Sequence, residues 1–318
     1  MEELQKINRR GFIRTGGIAA ASLALWGVPA TAFANGELKK LTILHTNDVH
    51  SRVEPFPMDG GRNQGMGGVA RRAALIKNIR AKESNLLLLD AGDIFQGTPY
   101  FNLFGGEVEM KLMSDMAYDA ATMGNHDFDN GIEGFYKQLP NANFPILISN
   151  YDLSDTIMHK STQNYKIFSK DGIKVGVFGL GIELAGLVEV KNYLETRYLD
   201  PVQKANETAA LLKKELGCEL VICLSHLGYS YRENKVSDQI LAKNTRNIDL
   251  IIGGHTHTFM SKPEDVKNLD GGITTINQVG WAGINLGRID YYFKGGYSTP
   301  VRNTISPYPI SNQIDHEI

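Results

Sequence analysis

The sequence predicts an α/β protein. Three observations support this. Short apolar runs recur along the chain, helix-like segments separate several of them, and polar residues of metal-binding type follow the runs at their C-terminal ends.

The runs are LTILH (41–45), LLLLD (86–90), FPILIS (144–149), IKVGVFGL (173–180), ELVICLS (219–225) and DLIIGG (249–254). Continuous rather than alternating apolar character predicts strands buried on both faces. Between the first two runs, 68–84 places Val69, Ala73, Ile76 and Ile79 at helical spacing, with its basic residues on a solvated face. Residues 200–217 read as a second helix, with Asp200 as N-cap, Pro201 in the first turn and Gly217 as the stop. From Ile273 to Phe293 the pattern predicts two antiparallel strands around a Gly-rich turn. The tail after Lys294 is rich in Pro, Ser and Asn and reads as irregular. No repeat, coiled coil or linker to a further domain is visible.

Composition bounds the class. Apolar content of 42% and charged content of 21% are ordinary for a globular chain of 318 residues. The net charge is −2 with mixed signs and no basic block, so nothing favours nucleic acid as a partner. The two cysteines, Cys218 and Cys223, lie on one predicted strand with side chains on opposite faces. They cannot pair and read as buried filler.

The first 34 residues differ from the rest. Arg9-Arg10 is followed by Gly-Phe-Ile-Arg, a small apolar run from Thr15 to Ala30, and Ala32-Phe33-Ala34, a cleavage pattern. The run is shorter than the ~20 residues of a membrane span. Residues 1–34 resemble a twin-arginine export signal, which implies a periplasmic or extracytoplasmic protein with no membrane span in its mature form. This segment holds four of the 33 basic and two of the 35 acidic residues, so the remainder carries −4. A mildly acidic protein that binds an anion must supply positive charge locally, and metal ions are one way to do so.

The strand ends carry the chemistry. Asp48 and His50 follow the first run and Asp93 follows the second. Asn125 and His126 follow the short apolar AATM. His226 follows the run ending at Ser225, and His255 and His257 follow DLIIGG. In open α/β sheets the functional crevice lies at the carboxyl ends of the strands. Asp48/His50 and His255/His257 are i, i+2 pairs, which in extended backbone point the same way. Of eight histidines, five sit in these motifs. His45 reads as a core residue of the first strand, and His159 and His316 as surface residues. Singly each motif is a weak signal; five in order, each after an apolar run, make a site.

D-x-H, G-D, G-N-H-D, H and G-H-x-H, in that order, resemble the calcineurin-like metallophosphoesterases. ILHTNDVHS, DAGDIFQGTP, MGNHDFDNG, LSHLG and VGWAGINLGRIDYYF resemble the catalytic domain of the 5′-nucleotidase family, over about residues 41–293. The resemblance implies a four-layer α/β/β/α sandwich across residues 35–318, with two divalent metal ions. By analogy Asp48, His50 and His257 bind the first ion, Asn125, His226 and His255 the second, and Asp93 bridges them. Nitrogen and oxygen donors without thiolate suit Zn, Mn, Fe or Co. The implied reaction is hydrolysis of a phosphate ester, with a nucleotide as the small phosphorylated substrate, by in-line attack of a metal-bound hydroxide. Asn125 and His126 would face the substrate. His126 would stabilise the transition state or protonate the leaving oxygen, and Asp129 would orient His126. Asp127 has no such role and reads as a turn residue or one that supports the site from behind.

Two departures matter. Many 5′-nucleotidases have Gln where this chain has His257. Long family members also carry a C-terminal domain that grips the nucleotide, and nothing after Lys294 resembles it. The chain would then act alone on a broader range of phosphate esters, or a separate polypeptide would supply that domain. Rival activities on the same fold are a 2′,3′-cyclic nucleotide phosphodiesterase and a thiosulfohydrolase. A non-catalytic metal-holding subunit would have lost His126 or Asp129, and both are present.

Overall fold

The computed structural model describes residues 38–294 and 301–311. The leader (1–34) and His316 lie outside them. In chain order the elements begin with β1 (Leu38–Thr46), α1 (Val69–Arg80), β2 (Leu86–Asp90), α2 (Pro99–Phe104), α3 (Glu107–Asp115), β3 (Ala120–Ala121) and α4 (Gly131–Gln138). There follow β4 (Tyr151–Asp152), β5 (Tyr165–Lys170), β6 (Ile173–Leu180), α5 (Val190–Tyr193), β7 (Arg197–Tyr198), α6 (Pro201–Ala210) and β8 (Leu220–Ser225). The last are α7 (Asp238–Asn244), β9 (Leu250–Gly253), β10 (Glu264–Lys267), β11 (Ile273–Asn277), β12 (Asn285–Lys294) and β13 (Val301–Pro309).

Two sheets form the centre. One has the order β13-β12-β1-β2-β3, the other β10-β11-β9-β8-β6-β5. β1, β2 and β3 run parallel, as do β11, β9, β8 and β6; antiparallel pairing adds β12 and β13 on one side of the first sheet and β10 and β5 at the two edges of the second. Three apolar clusters define the layers. Leu41, Ile43, Leu87 and Leu89 meet Val175, Val177, Ile222 and Ile252 between the sheets. The opposite faces of β1 and β2, through Leu44, Leu86 and Leu88, pack on Ile76, Met110 and Phe135 of the first helical layer. Phe178, Val221 and Ile251 pack on Ala205, Leu212 and Leu241 of the second. The central strands β1, β2, β6, β8 and β9 are therefore covered on both faces, as their unbroken apolar runs require. The order of layers is α/β/β/α, a mixed α/β fold.

The caps follow the sequence. The Asp200 side chain accepts a hydrogen bond from Gln203 N at 2.9 Å, and Pro201 opens α6. The helix ends in a π-turn over Leu211–Glu215, and Gly217 follows at φ 66°.

Four expectations fail. FPILIS (144–149) is not a regular strand. It makes only isolated bridges, because it crosses from one sheet to the other: Leu147 N bonds to Ala121 O at 2.8 Å and Ser149 N to Gly179 O at 2.8 Å. The two strands in 273–293 do not pair. β11 joins β9 and β10, while β12 joins β1 and β13. The Gly-rich segment between them passes between the sheets, since Asn47 takes Val279 N and Gly280 O and turns the chain across. The tail is not irregular: its residues 301–309 form β13, which pairs with the exposed edge of β12. Finally, β8 starts only at Leu220, so its alternation does not reach back to Cys218. Both cysteines are free and buried in the same outer cluster.

The crossing at Gly179 is tight. A Cβ there would stand 2.0 Å from Leu147 O and 2.5 Å from Thr122 Oγ1. Gly179→Ala should therefore cost roughly 1–3 kcal/mol by overpacking. A urea midpoint equal to that of the parent would show that the crossing segment yields.

Candidate metal centre

Five loops bring the polar residues together at the carboxyl ends of the parallel strands. Asp48 and His50 leave β1, Asp93 leaves β2, and Asn125 and His126 follow β3. His226 leaves β8, and His255 and His257 leave β9. The pairs are not extended, contrary to the sequence expectation. Asp48, His50, Asp93, His255 and His257 have φ of 50°, 50°, 55°, 70° and 51°. Asp and His tolerate this left-handed backbone better than most residues, at about 1–3 kcal/mol each. The side chains converge because each loop turns sharply as it leaves its strand.

Backbone bonds hold these turns. Asp48 N donates to Gly92 O at 2.9 Å, His50 N to Asp93 O at 3.0 Å and Ala282 N to Asp48 O at 2.7 Å. His255 N donates to both oxygens of Asp48, at 2.9 and 3.1 Å, tying the second sheet to the first. Gly124 allows a close approach here, since a Cβ there would lie 2.1 Å from Asp93 Oδ1.

Two groups of ligand atoms result. One atom each from Asp48, His50, Asp93 and His257 lie within 4.8 Å of one another, as do atoms from Asp93, His226 and His255. Asp93 belongs to both. His50 Nε2 and His257 Nε2 are 2.9 Å apart, and His257 Nε2 is 3.4 Å from Asp48 Oδ1. In the second group Asn125 Oδ1 lies 2.8 Å from His255 Nδ1. His226 Nδ1 lies 2.7 Å from Ala91 O. A carbonyl only accepts, so Nδ1 carries a proton and Nε2 is the nitrogen that faces the centre, with a lone pair whenever the ring is neutral. This Nε2 is fully buried and 3.1 Å from Asp93 Oδ2, yet is not aligned with it and has no well-formed hydrogen bond among the described residues. An orphaned buried nitrogen facing a carboxylate fits a cation between them.

The electrostatics agree. Burial pushes the His50 pKa down and the His255 pKa down to about 4, so both imidazoles keep free lone pairs. Burial alone would lower His226 too, but Asp93 and Asp48 hold it up at about 10. Burial opposes the charge on Asp93, yet His226, His50 and His126 keep its carboxyl well below the usual range. The site demands positive charge next to Asp93, and either protons or metal ions can meet that demand.

His126 and Asp129 stand apart from the two ligand groups. The His126 ring is partly exposed, its Nδ1 is 2.8 Å from Asp129 Oδ2, and its backbone N donates to Asp93 Oδ1 at 2.8 Å. The bond to Asp129 raises the His126 pKa. His45 is buried in β1, with Nε2 2.8 Å from Asn277 Nδ2 and a pKa lowered to about 3 by burial, and His159 is exposed.

Of the two readings of Asp127, turn residue or support from behind, the structure favours support. Asp127 is fully buried, and its carboxylate accepts four backbone N–H groups: Asp93 at 3.1 Å, Ile94 at 2.9 Å, Phe95 at 3.0 Å and Gly124 at 2.8 Å. Burial and Asp93 push its pKa up to about 7, against the four donors, which favour the charged form. Its position beside His126 is the only signal of this in the sequence. Asn47 and Trp281 were missed; Asn47 clamps the crossing segment, and the Trp281 ring stacks on His257 at 5.6 Å with 6° between the planes.

Comparison with known proteins gives a consistent picture. The family model for calcineurin-like phosphoesterase matches residues 41–259. A snake venom 5′-nucleotidase of Crotalus adamanteus is 42% identical over 245 residues, which are 74% of this chain and 40% of that protein. A 5′-nucleotidase of Vibrio cholerae is 33% identical over 337 residues, 96% of this chain and 59% of that one. Among solved structures, a 5′-nucleotidase precursor from Thermus thermophilus superposes with a TM-score of 0.77 at 30% identity, covering 87% of this chain and 55% of that chain. The chain thus spans 40% and 59% of the length of these two curated relatives.

Asp127→Ala would strand four buried donors. A loss of roughly 3 kcal/mol or more is expected, since each unsatisfied group costs about 1–3 kcal/mol. The check is the thermal unfolding midpoint, and an unchanged value would mean that these loops are held by other contacts.

Proposed function

The chain belongs to the calcineurin-like phosphoesterase family, and from that premise we propose that it is a dinuclear-metal phosphomonoesterase acting on nucleotides. The observation that carries this reading is the sharing of Asp93 between two groups of nitrogen and oxygen donors. Asp48, His50 and His257 would hold one ion, Asn125, His226 and His255 the other, and Asp93 both. When bound, the ions supply Lewis acidity for the phosphoryl oxygens and lower the pKa of water at the centre. The donor set fits Zn, Mn, Fe or Co.

The chain's own residues do the rest. His126 reaches the centre from the partly exposed side, near His50, with ring centroids 5.3 Å apart. There it would stabilise charge on the transferring phosphoryl group and deliver a proton to the leaving oxygen. Asp129 fixes the ring and favours its protonated form. Asp127 keeps the Asp93 and Asn125 loops at a constant separation. The likeness to 5′-nucleotidases supports a nucleotide substrate.

Export by the twin-arginine route is part of the same proposal and rests on residues 1–34. Among the described residues no helix is long and apolar enough to cross a membrane.

Metal analysis of the purified chain, followed by assay of each reconstituted form against AMP, cyclic nucleotides and an aryl phosphate, tests the reading. Two ions per chain and highest turnover on AMP are expected; a metal-free active enzyme would refute it. His126→Ala should retain both ions and lose about 10²–10⁴-fold in turnover. In Asp129→Asn the main cause of the raised His126 pKa is gone. The acid form is then lost at lower pH, so the alkaline limb of the kcat profile should move down. A limb that stays in place would assign it to another group.

A further inference from the structure

His50 and His226 are oriented by backbone carbonyls, through Nδ1–H bonds to Phe95 O at 3.3 Å and Ala91 O at 2.7 Å. His255 Nδ1 meets Asn125 Oδ1 at 2.8 Å. His257 differs. Its Nε2 faces His50, its Nδ1 has no hydrogen-bond partner among the described residues, and its side chain is 40% exposed. A ligand imidazole normally gives its second nitrogen to a carbonyl or carboxylate, which fixes the ring. Here a parallel aromatic ring occupies that role: Trp281, at 5.6 Å and 6°.

The indole is itself well anchored. The residues on either side are pinned to the loop that carries Asp48 and His50. Asn47 Nδ2 donates to Gly280 O at 2.6 Å and Ala282 N donates to Asp48 O at 2.7 Å. Phe56 packs edge-on against Trp281 at 5.7 Å, and the Arg52 guanidinium covers Phe56 at 4.1 Å from its centroid. A histidine delivered by the second sheet therefore leans on a ring tied to the first.

We propose that Trp281 is the positioning residue for His257, setting the plane of its imidazole and thereby the divalent-cation affinity of the group formed by Asp48, His50, Asp93 and His257. This rests on the two-metal reading above. It explains how an exposed side chain on left-handed backbone can hold one orientation without a hydrogen bond on its second nitrogen.

The sequence supplies a probe. Its two tryptophans are Trp26, in the leader, and Trp281. In the full chain carrying Trp26→Phe, Trp281 is the sole tryptophan. This protein, stripped by chelator, is titrated with Mn²⁺ by calorimetry and by tryptophan fluorescence. Two binding steps are expected, with the emission responding to one of them. Trp281→Leu, which keeps apolar volume but no ring, should weaken one step by about tenfold or more and leave the other unchanged. Trp281→Phe should stay near the parent. His257→Ala should cost less affinity in the Leu background than in the parent, because the two residues act as a unit. Two intact binding steps in Trp281→Leu would overturn the proposal while leaving the dinuclear reading in place. Absence of any Mn²⁺ binding in the parent would overturn both.

Discussion

One buried carboxylate sets the geometry on which the site depends. Asp127 gathers N–H groups from the Asp93 loop and from Gly124, which precedes Asn125. These loops leave different strands and have no sheet hydrogen bonds to each other beyond β2 and β3. Without this common acceptor they would keep the bond from His126 N to Asp93 Oδ1 but lose four others. A charged acceptor makes shorter and stronger bonds than a neutral one. The same grip turns Asp93 toward the centre, and Asp93 is the residue that both ligand groups share.

Convergence on one point has a conformational cost. Five of the residues assigned to the ions sit in left-handed backbone, a region that side chains with a Cβ seldom occupy. The cost is offset by hydrogen bonds running between loops, such as His255 N to the Asp48 carboxylate, and by the dense apolar layers beneath. Much of the left-handed backbone lies where five chain segments must meet, above the paired strands. This is the distribution expected of a rigid scaffold with a functional edge.

Much of this was legible in the sequence. Unbroken apolar runs gave the buried parallel strands, and Asp200-Pro201 gave the start of α6. The side chains at the strand ends were recognisable because polar residues directly after a fully buried strand have one edge of the sheet as their destination. What failed was whatever depends on tertiary pairing. A stretch such as 144–149 has strand composition but spans two sheets, and 273–293 has hairpin composition but distributes its strands between them. β13 lacks an apolar signature because it pairs only with β12, at the sheet edge. Local periodicity cannot report which partner a strand finds. That Asp127 supports the site from behind was one of two readings, but its partners stayed hidden because they are backbone groups, which no side-chain pattern encodes.

The crossing of ligands between sheets has a mechanical meaning. Asp48, His50 and Asp93 belong to one sheet and His226, His255 and His257 to the other, yet each ligand group draws on both. Neither sheet holds a complete site. The distance across the centre is therefore a reading of how the two sheets are stacked, taken at their shared edge. Apolar side chains such as Ile43 and Val177, deep between the layers and touching nothing reactive, act as shims that set this gap. Close-packed interiors transmit strain, so the core between the layers bears on the same gap that the ligand groups span.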